Sequence, residues 1–183
     1  MDKILPIPEG LQLEENSQGI TISYRWYSHV VWFLIFFAFI WNGFLVGWML
    51  ADTPFFFKMF ASIHVAVGIG LVWYIVCLFL NTTIIKITKH EITISHAPIP
   101  LPIYAKSMQL SRFDIAQVYV AQVSTTNKGN TTYSFELRAI SSKNISKKLS
   151  INCDNYEKAI FYKRKIEQVM RIEPQPIEGE YLG

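Results

Sequence analysis

The sequence predicts a membrane α-helical hairpin, two transmembrane helices long, joined to one α+β soluble domain. Two observations predict the hairpin. Residues 26–51 and 59–85 carry no formal charge. Each stretch exceeds the about 20 apolar residues that a helix needs to cross about 30 Å of hydrocarbon. A third observation predicts the soluble domain. Residues 82–172 change to short β-branched runs that end in one amphipathic stretch. A chain of 183 residues holds that hairpin and one domain of about 100 residues.

Residues 1–28 read as a polar N-terminal segment with strand character at 20–24. Residues 29–51 are the first span and residues 60–80 the second. Arg25, Trp26 and Tyr27 make an interfacial belt before the first span, and Trp48 with Phe55, Phe56 and Phe57 makes another at the far end. The first span is too long for a cleaved leader, lacks a basic flank and begins well inside the chain. A loop at 52–58 makes the helices antiparallel neighbours, so both termini share one side. Arg25, Lys86 and Lys89 flank that side, against Lys58 at the loop, which predicts both termini on the cytoplasmic side. Cys77 falls inside the second span and Cys153 in the soluble part, so no disulfide is expected. The matches to the glycosylation sequon at Asn81, Asn130 and Asn144 carry no weight in a cytoplasmic domain.

Residues 82–172 read as strands followed by a helix. Segments 83–88 and 91–96 form a hairpin directly after the second span. The prolines in 97–102 break the ladder, because proline cannot donate to it. Segments 107–110, 115–124, 132–139 and 149–152 continue the strands, with a turn at 127–130. Val118, Val120 and Gln122 share one face, and Tyr133, Phe135 and Leu137 alternate. Asp154 with Glu157 reads as a capping box for a helix running to about Arg171. Ala159, Tyr162, Ile166 and Val169 fall on one side of it. Six or seven strands closed by a C-terminal helix form the pattern of a pleckstrin-homology (PH)-like β-barrel or sandwich. Residues 173–183 are a proline- and glycine-containing tail.

Charge is uneven. Residues 1–28 carry 2 basic and 4 acidic side chains, residues 82–172 carry 14 and 6, and the tail carries 3 acids and no base. The acidic lead-in and tail are therefore expected against the basic domain, or against a partner.

Small residues are the first candidates for function. Gly43 and Gly47 form a GxxxG in the first span, and Ser62, Ala66 and Gly70 a small-xxx-small row in the second. Such rows allow close backbone approach, either within the hairpin or against another membrane helix. Asn42 and His64 are intramembrane polar groups. Lys143, Lys147, Lys148, Lys158, Lys163, Arg164 and Lys165 make a basic surface suited to solubility, to a partner, or to anionic lipids. No nucleophile elbow, zincin, Cys-pair, Walker or dinucleotide motif is present, and no carboxylate pair stands out. No enzyme, cofactor or metal is therefore expected, and nucleic acid is not expected as a partner.

Several stretches resemble an uncharacterised bacterial family of small two-span proteins with a bacterial PH-like domain. They are Arg25-Trp26, residues 64–68 (His-Val-Ala-Val-Gly), 81–83 (Asn-Thr-Thr), 98–102 (Pro-Ile-Pro-Leu-Pro) and 117–119 (Gln-Val-Tyr). The helix around Ala159 and Glu167, and Gly179-Glu180, add to them. The layout is also similar to that of the photosystem I assembly factor of cyanobacteria and plastids. The expectation is a non-enzymatic accessory, scaffold or assembly subunit in the bilayer, with a membrane-protein partner or a second copy beside it. The alternative is a membrane-anchored PH-like domain that senses anionic headgroups.

Overall fold

A computed structural model describes residues 6–99, 107–127, 129–151 and 153–181. Pro100 to Pro102 of the proline-rich stretch, Lys128 of the predicted turn, Asn152 of the last predicted strand and the tail's last two residues lie outside the described residues. Two compact units result. One contains the two apolar helices, and the other contains the sheets and the third helix.

The helical unit consists of α1, Val30–Leu50, and α2, Phe55–Leu80. Both are long and apolar enough to cross a membrane. At about 1.5 Å per residue they reach about 31 and 39 Å. The second helix starts five residues earlier than the predicted span. Pro54, at φ −56°, is set for the first turn, and nothing in the Phe-Phe-Phe-Lys-Met run breaks a helix. Lys58 therefore belongs to the first turns of α2, and the connection shrinks to residues 51–54.

The helices pack along a seam of period seven. Val31, Ala38 and Leu45 are the buried positions of α1, and Ala61, Gly68 and Ile75 recur at the same interval in α2. A repeat of seven corresponds to 3.5 residues per turn, which keeps two helices in contact along a left-handed seam.

Among the described residues the second unit holds eight strands, two more than the shortest expectation. Strands β1, Gln12–Asn16, and β2, Gly19–Arg25, come from the segment that read as a polar lead-in. They join β3, Thr82–Thr88, β4, Glu91–Ala97, and β5, Met108–Ser111, in one sheet of order β1-β2-β3-β4-β5. The whole helical hairpin is thus inserted between two adjacent strands. At one end of that pair Trp26 N–H donates to Asn81 C=O (3.0 Å); at the other, a Cβ on Gly19 would collide with the Ile87 carbonyl, so β2 and β3 run antiparallel. The β1–β2 turn forms because Asn16 Oδ1 accepts from Gln18 N (3.0 Å) and Gly19 N (2.9 Å).

A second sheet contains β6, Gln117–Asn127, β7, Asn130–Ile140, and β8, Ser146–Lys148. The last predicted strand, 149–152, is displaced to β8. Leu149 and Ile151 are buried, but Cys153 keeps only an isolated bridge to Phe135. The two sheets remain separate among the described residues, so the expected closed barrel is absent. The core lies between strict period-two faces: Ile22 of β2, Ile85 and Ile87 of β3, and Ile92 and Ile94 of β4 are fully buried. Val118, Val120 and Leu137 cover it from the second sheet.

Helix α3, Tyr156–Met170, packs Ala159, Phe161, Tyr162, Ile166 and Met170 into that core. Its N-cap is Asn155, not Asp154; the Asn155 carboxamide oxygen accepts from Lys158 N at 2.8 Å. Arg171 takes the left-handed conformation that ends the helix, and Ile172 N–H reaches back to Glu167 C=O at 2.9 Å. Arg112 fastens this end to the turn before β6. Its guanidinium donates to Met170 C=O (2.9 Å) and to Ile115 C=O (2.7 Å).

Candidate functional site

The small-residue rows do not make the hairpin seam. Gly43 and Gly47 stand two positions either side of Leu45, and Ala66 and Gly70 stand two positions either side of Gly68. Two positions are about 200° around a helix, so these residues face away from the partner helix. A Cβ added to Gly43, Gly47 or Gly70 would meet nothing within 4 Å. Ser62 and Ala66 are exposed as well. The contact instead runs through Ala38, Ala61 and Gly68, small residues that the GxxxG spacing passes over. With Asn42 against Gly68 and Trp48 near Phe60, the antiparallel register sets Gly43 level with Ala66 and Gly47 level with Ser62. Two small-residue rows therefore line the outer faces of the hairpin at matching depth.

Asn42 and His64 belong to the seam rather than to a pathway. Asn42 Nδ2 donates to Ala38 C=O in the preceding turn (2.7 Å), and its Oδ1 lies against Gly68. A Cβ at position 68 would strike that oxygen, so any larger residue there must displace the Asn42 carboxamide. His64 Nδ1 pairs with Phe60 C=O at 3.1 Å, and its ring lies between Phe60 (4.5 Å between centroids) and Trp41 (5.8 Å). Ser62 Oγ likewise donates to Lys58 C=O at 2.9 Å. All three polar groups turn back on their own helix, each bonding to the carbonyl of the preceding turn.

The basic surface is largely neutralised. Lys148 pairs with Glu136 at 2.7 Å, and Arg138 shares that carboxylate at 2.8 Å. The hydrogen bond from Lys148, then that from Arg138, holds Glu136 below the usual carboxylate range against its partial burial. Lys158 pairs with Asp154 (2.7 Å) and Lys165 with Glu15 of the N-terminal segment (2.9 Å). Lys163 contacts Glu180 of the tail and Glu167 on the next turn (3.6 Å). Four of the seven predicted cations are thus committed. Lys143, Lys147 and Arg164 form no ion pair among the described residues. The lead-in and the tail each contribute one acid to α3, Glu15 to Lys165 and Glu180 to Lys163, whereas Lys148 and Lys158 pair with the domain's own Glu136 and Asp154.

Sequence reasoning expected the acidic tail against the basic domain or a partner, and missed the seat it takes on β6 and the aromatic rings. Residues 173–181 lie along β6 and α3. Gln117 anchors the near end, its Nε2 donating to Glu173 C=O (2.9 Å) and its Oε1 accepting from Gln175 N (3.4 Å). Glu180 N–H closes a turn on Ile177 C=O (3.2 Å) with Gly179 at φ +86°, a conformation that favours glycine. The turn aims Glu180 at Lys163 and Tyr181 at Phe135 and Tyr156. Those rings lie 5.2 Å from Tyr181 in each case, the second edge-on. The signal available was Gly179-Glu180-Tyr181, a turn glycine followed by an acid and an aromatic. Cys77 and Cys153 are both free and buried. Burial pushes the Cys153 thiol up to about 12. No group of histidine, cysteine and acidic side chains suited to a metal occurs among the described residues.

Comparison with protein-family models, with curated proteins and with solved structures finds no match to this chain.

Proposed function

We infer that this chain is a non-enzymatic, two-span integral membrane protein that serves as an accessory or assembly subunit. In this reading α1 and α2 cross the bilayer, and both termini face the cytoplasm. The extramembrane unit is a PH-like sandwich, open at its seams and covered by α3. The single observation that supports the reading is the division of small residues in the hairpin. Ala38, Ala61 and Gly68 serve the internal seam, whereas Gly43, Gly47, Ser62, Ala66 and Gly70 face outward. Lipid gains nothing from a small side chain, but a neighbouring helix gains close backbone approach. The test is co-purification from gently solubilised membranes. Wild-type protein should carry a stoichiometric membrane partner, or a second copy. Gly43→Ile with Gly47→Ile, or Ala66→Ile with Gly70→Ile, should lose it while unfolding at the wild-type temperature. Recovery of wild-type protein alone would sink the reading. Headgroup sensing is the weaker reading, because Lys148, Lys158, Lys163 and Lys165 are already held by carboxylates.

A further inference from the structure

The tail is held in the manner of a bound peptide. Its anchors are three kinds of contact, made by a segment that turns once at residues 177–180. One is a backbone bond to a sheet edge: Tyr181 N–H donates to Val120 C=O at 2.8 Å, and β6 is the outer strand of its sheet. Another is an aromatic seat, in which the Phe135 and Tyr156 centroids lie 5.7 Å apart and both meet Tyr181. The third is an ion pair in a dry setting, where the Lys163 and Glu180 side chains are only 12% and 7% exposed. A strand edge with a side-chain pocket and a fixed charge is a general arrangement for peptide recognition.

Lys163 supplies the argument that this contact can open. Removing one partner from a buried pair is costly when the other charge is left alone. Here it is not left alone. Glu167, one helical turn along α3 and 11% exposed, stands 3.6 Å from the same ammonium. The site thus holds two carboxylates for one lysine. Burial raises Glu167 above its ordinary range, with Lys163 opposing and Glu180 adding to the rise. When Glu180 leaves, Lys163 and Glu167 form a balanced pair, and the freed backbone groups of Tyr181 and Val120 pass to water. Undocking therefore strands no buried charge.

We propose that the groove formed by β6, Phe135, Tyr156 and Lys163 is a peptide-docking site, which the chain's own tail occupies in cis. Its trans ligand is a protein segment that presents an acidic side chain immediately before an aromatic one. The cis tail competes through its high effective concentration. It thereby keeps the groove shut until a partner segment is present at sufficient density. This inference is independent of the membrane-helix reading above, and either can fail alone.

The test uses the full-length protein in detergent micelles and a fluorescent peptide of residues 173–181 as the probe, read by anisotropy. Wild-type protein should bind the probe at least about tenfold more weakly than the Tyr181→Ala variant, whose own tail is weakened, since competition divides the intrinsic dissociation constant by the free fraction of sites and so raises it. A probe carrying Glu180→Lys should fail on that variant, and should bind once the protein also carries Lys163→Glu. Equal binding of the two probes, or no binding by a Tyr181→Ala protein that melts cooperatively, overturns the proposal. So does a Tyr181→Ala protein that no longer folds, because a displaceable segment cannot be required for the fold. Hydrogen exchange on wild-type protein gives a second reading: the Tyr181 amide should exchange well before the Leu137 amide, and exchange of both only together would also overturn it.

Discussion

Asn81 decides more than its position at the end of a helix suggests. It is 1% exposed, and its carboxamide embraces the backbone of one residue: Oδ1 accepts Ile99 N–H and Nδ2 donates to Ile99 C=O, both at 2.8 Å. Its own carbonyl takes Trp26 N–H. One side chain thus pins the segment after β4 to the C-terminus of α2. Asn81→Leu keeps the volume and removes both bonds, leaving two backbone groups unpaired at about 1–3 kcal/mol each. The expected loss is about 2–6 kcal/mol in denaturant unfolding in mild detergent, and an unchanged midpoint would show that the clamp carries nothing. His96 sets a pH dependence. Its Nδ1 lies 2.9 Å from the hydroxyl of fully buried Thr83, and burial lowers its pKa below the ordinary value. Above about pH 6.5 the ring is neutral folded and unfolded, and contributes no slope. As pH falls through that value the unfolded chain takes up the proton first, so stability drops on the acid side. A melting temperature that declines from pH 7 to pH 5, with a smaller decline in His96→Gln, is the expected outcome.

At the level of elements, legibility followed periodicity. Spans, strands β3, β4, β6 and β7, and helix α3 announce themselves by apolar length or by alternation. Strand β1 does not, because only Leu13 of its five residues is even partly buried and nothing alternates. Its strand character comes from pairing with β2, a tertiary cause. The seam of the hairpin was illegible for a different reason. In two helices that are apolar all round, hydrophobicity cannot mark a face, so residue size must. The GxxxG spacing pointed at the wrong face, whereas Ala61, Gly68 and Ile75 at intervals of seven mark the right one. Gly68→Leu should drive a side chain into Asn42 and cost about 1–3 kcal/mol of hairpin stability. Gly70→Leu, two residues away, should cost nothing measurable, since open space surrounds it. Unfolding of both variants in a denaturing-detergent titration checks the pair, and equal destabilisation would refute the seam.

For the whole molecule, the decisive fact is that β2 and β3 are neighbours although α1 and α2 separate them in the chain. An excursion that leaves a sheet and returns to the adjacent strand can cross a bilayer only an even number of times. If α1 and α2 cross a bilayer, sheet pairing requires both flanks on one side, independently of any count of flanking lysines. It also makes the N-terminal segment part of the core. Ile22 is fully buried there, and Glu15 reaches Lys165 of α3. Ile22→Ala should consequently destabilise the sheet unit by about 2–5 kcal/mol, as for any large core residue, although it lies in a stretch that reads as a polar lead-in. Single cysteines replacing Glu14 and Lys143 should react with an impermeant maleimide from the same face of sealed vesicles. A cysteine replacing Asp52 should react only from the other. Reaction of the first two from opposite faces would mean that β2 and β3 never pair, since a strand cannot hydrogen-bond to its neighbour across a membrane.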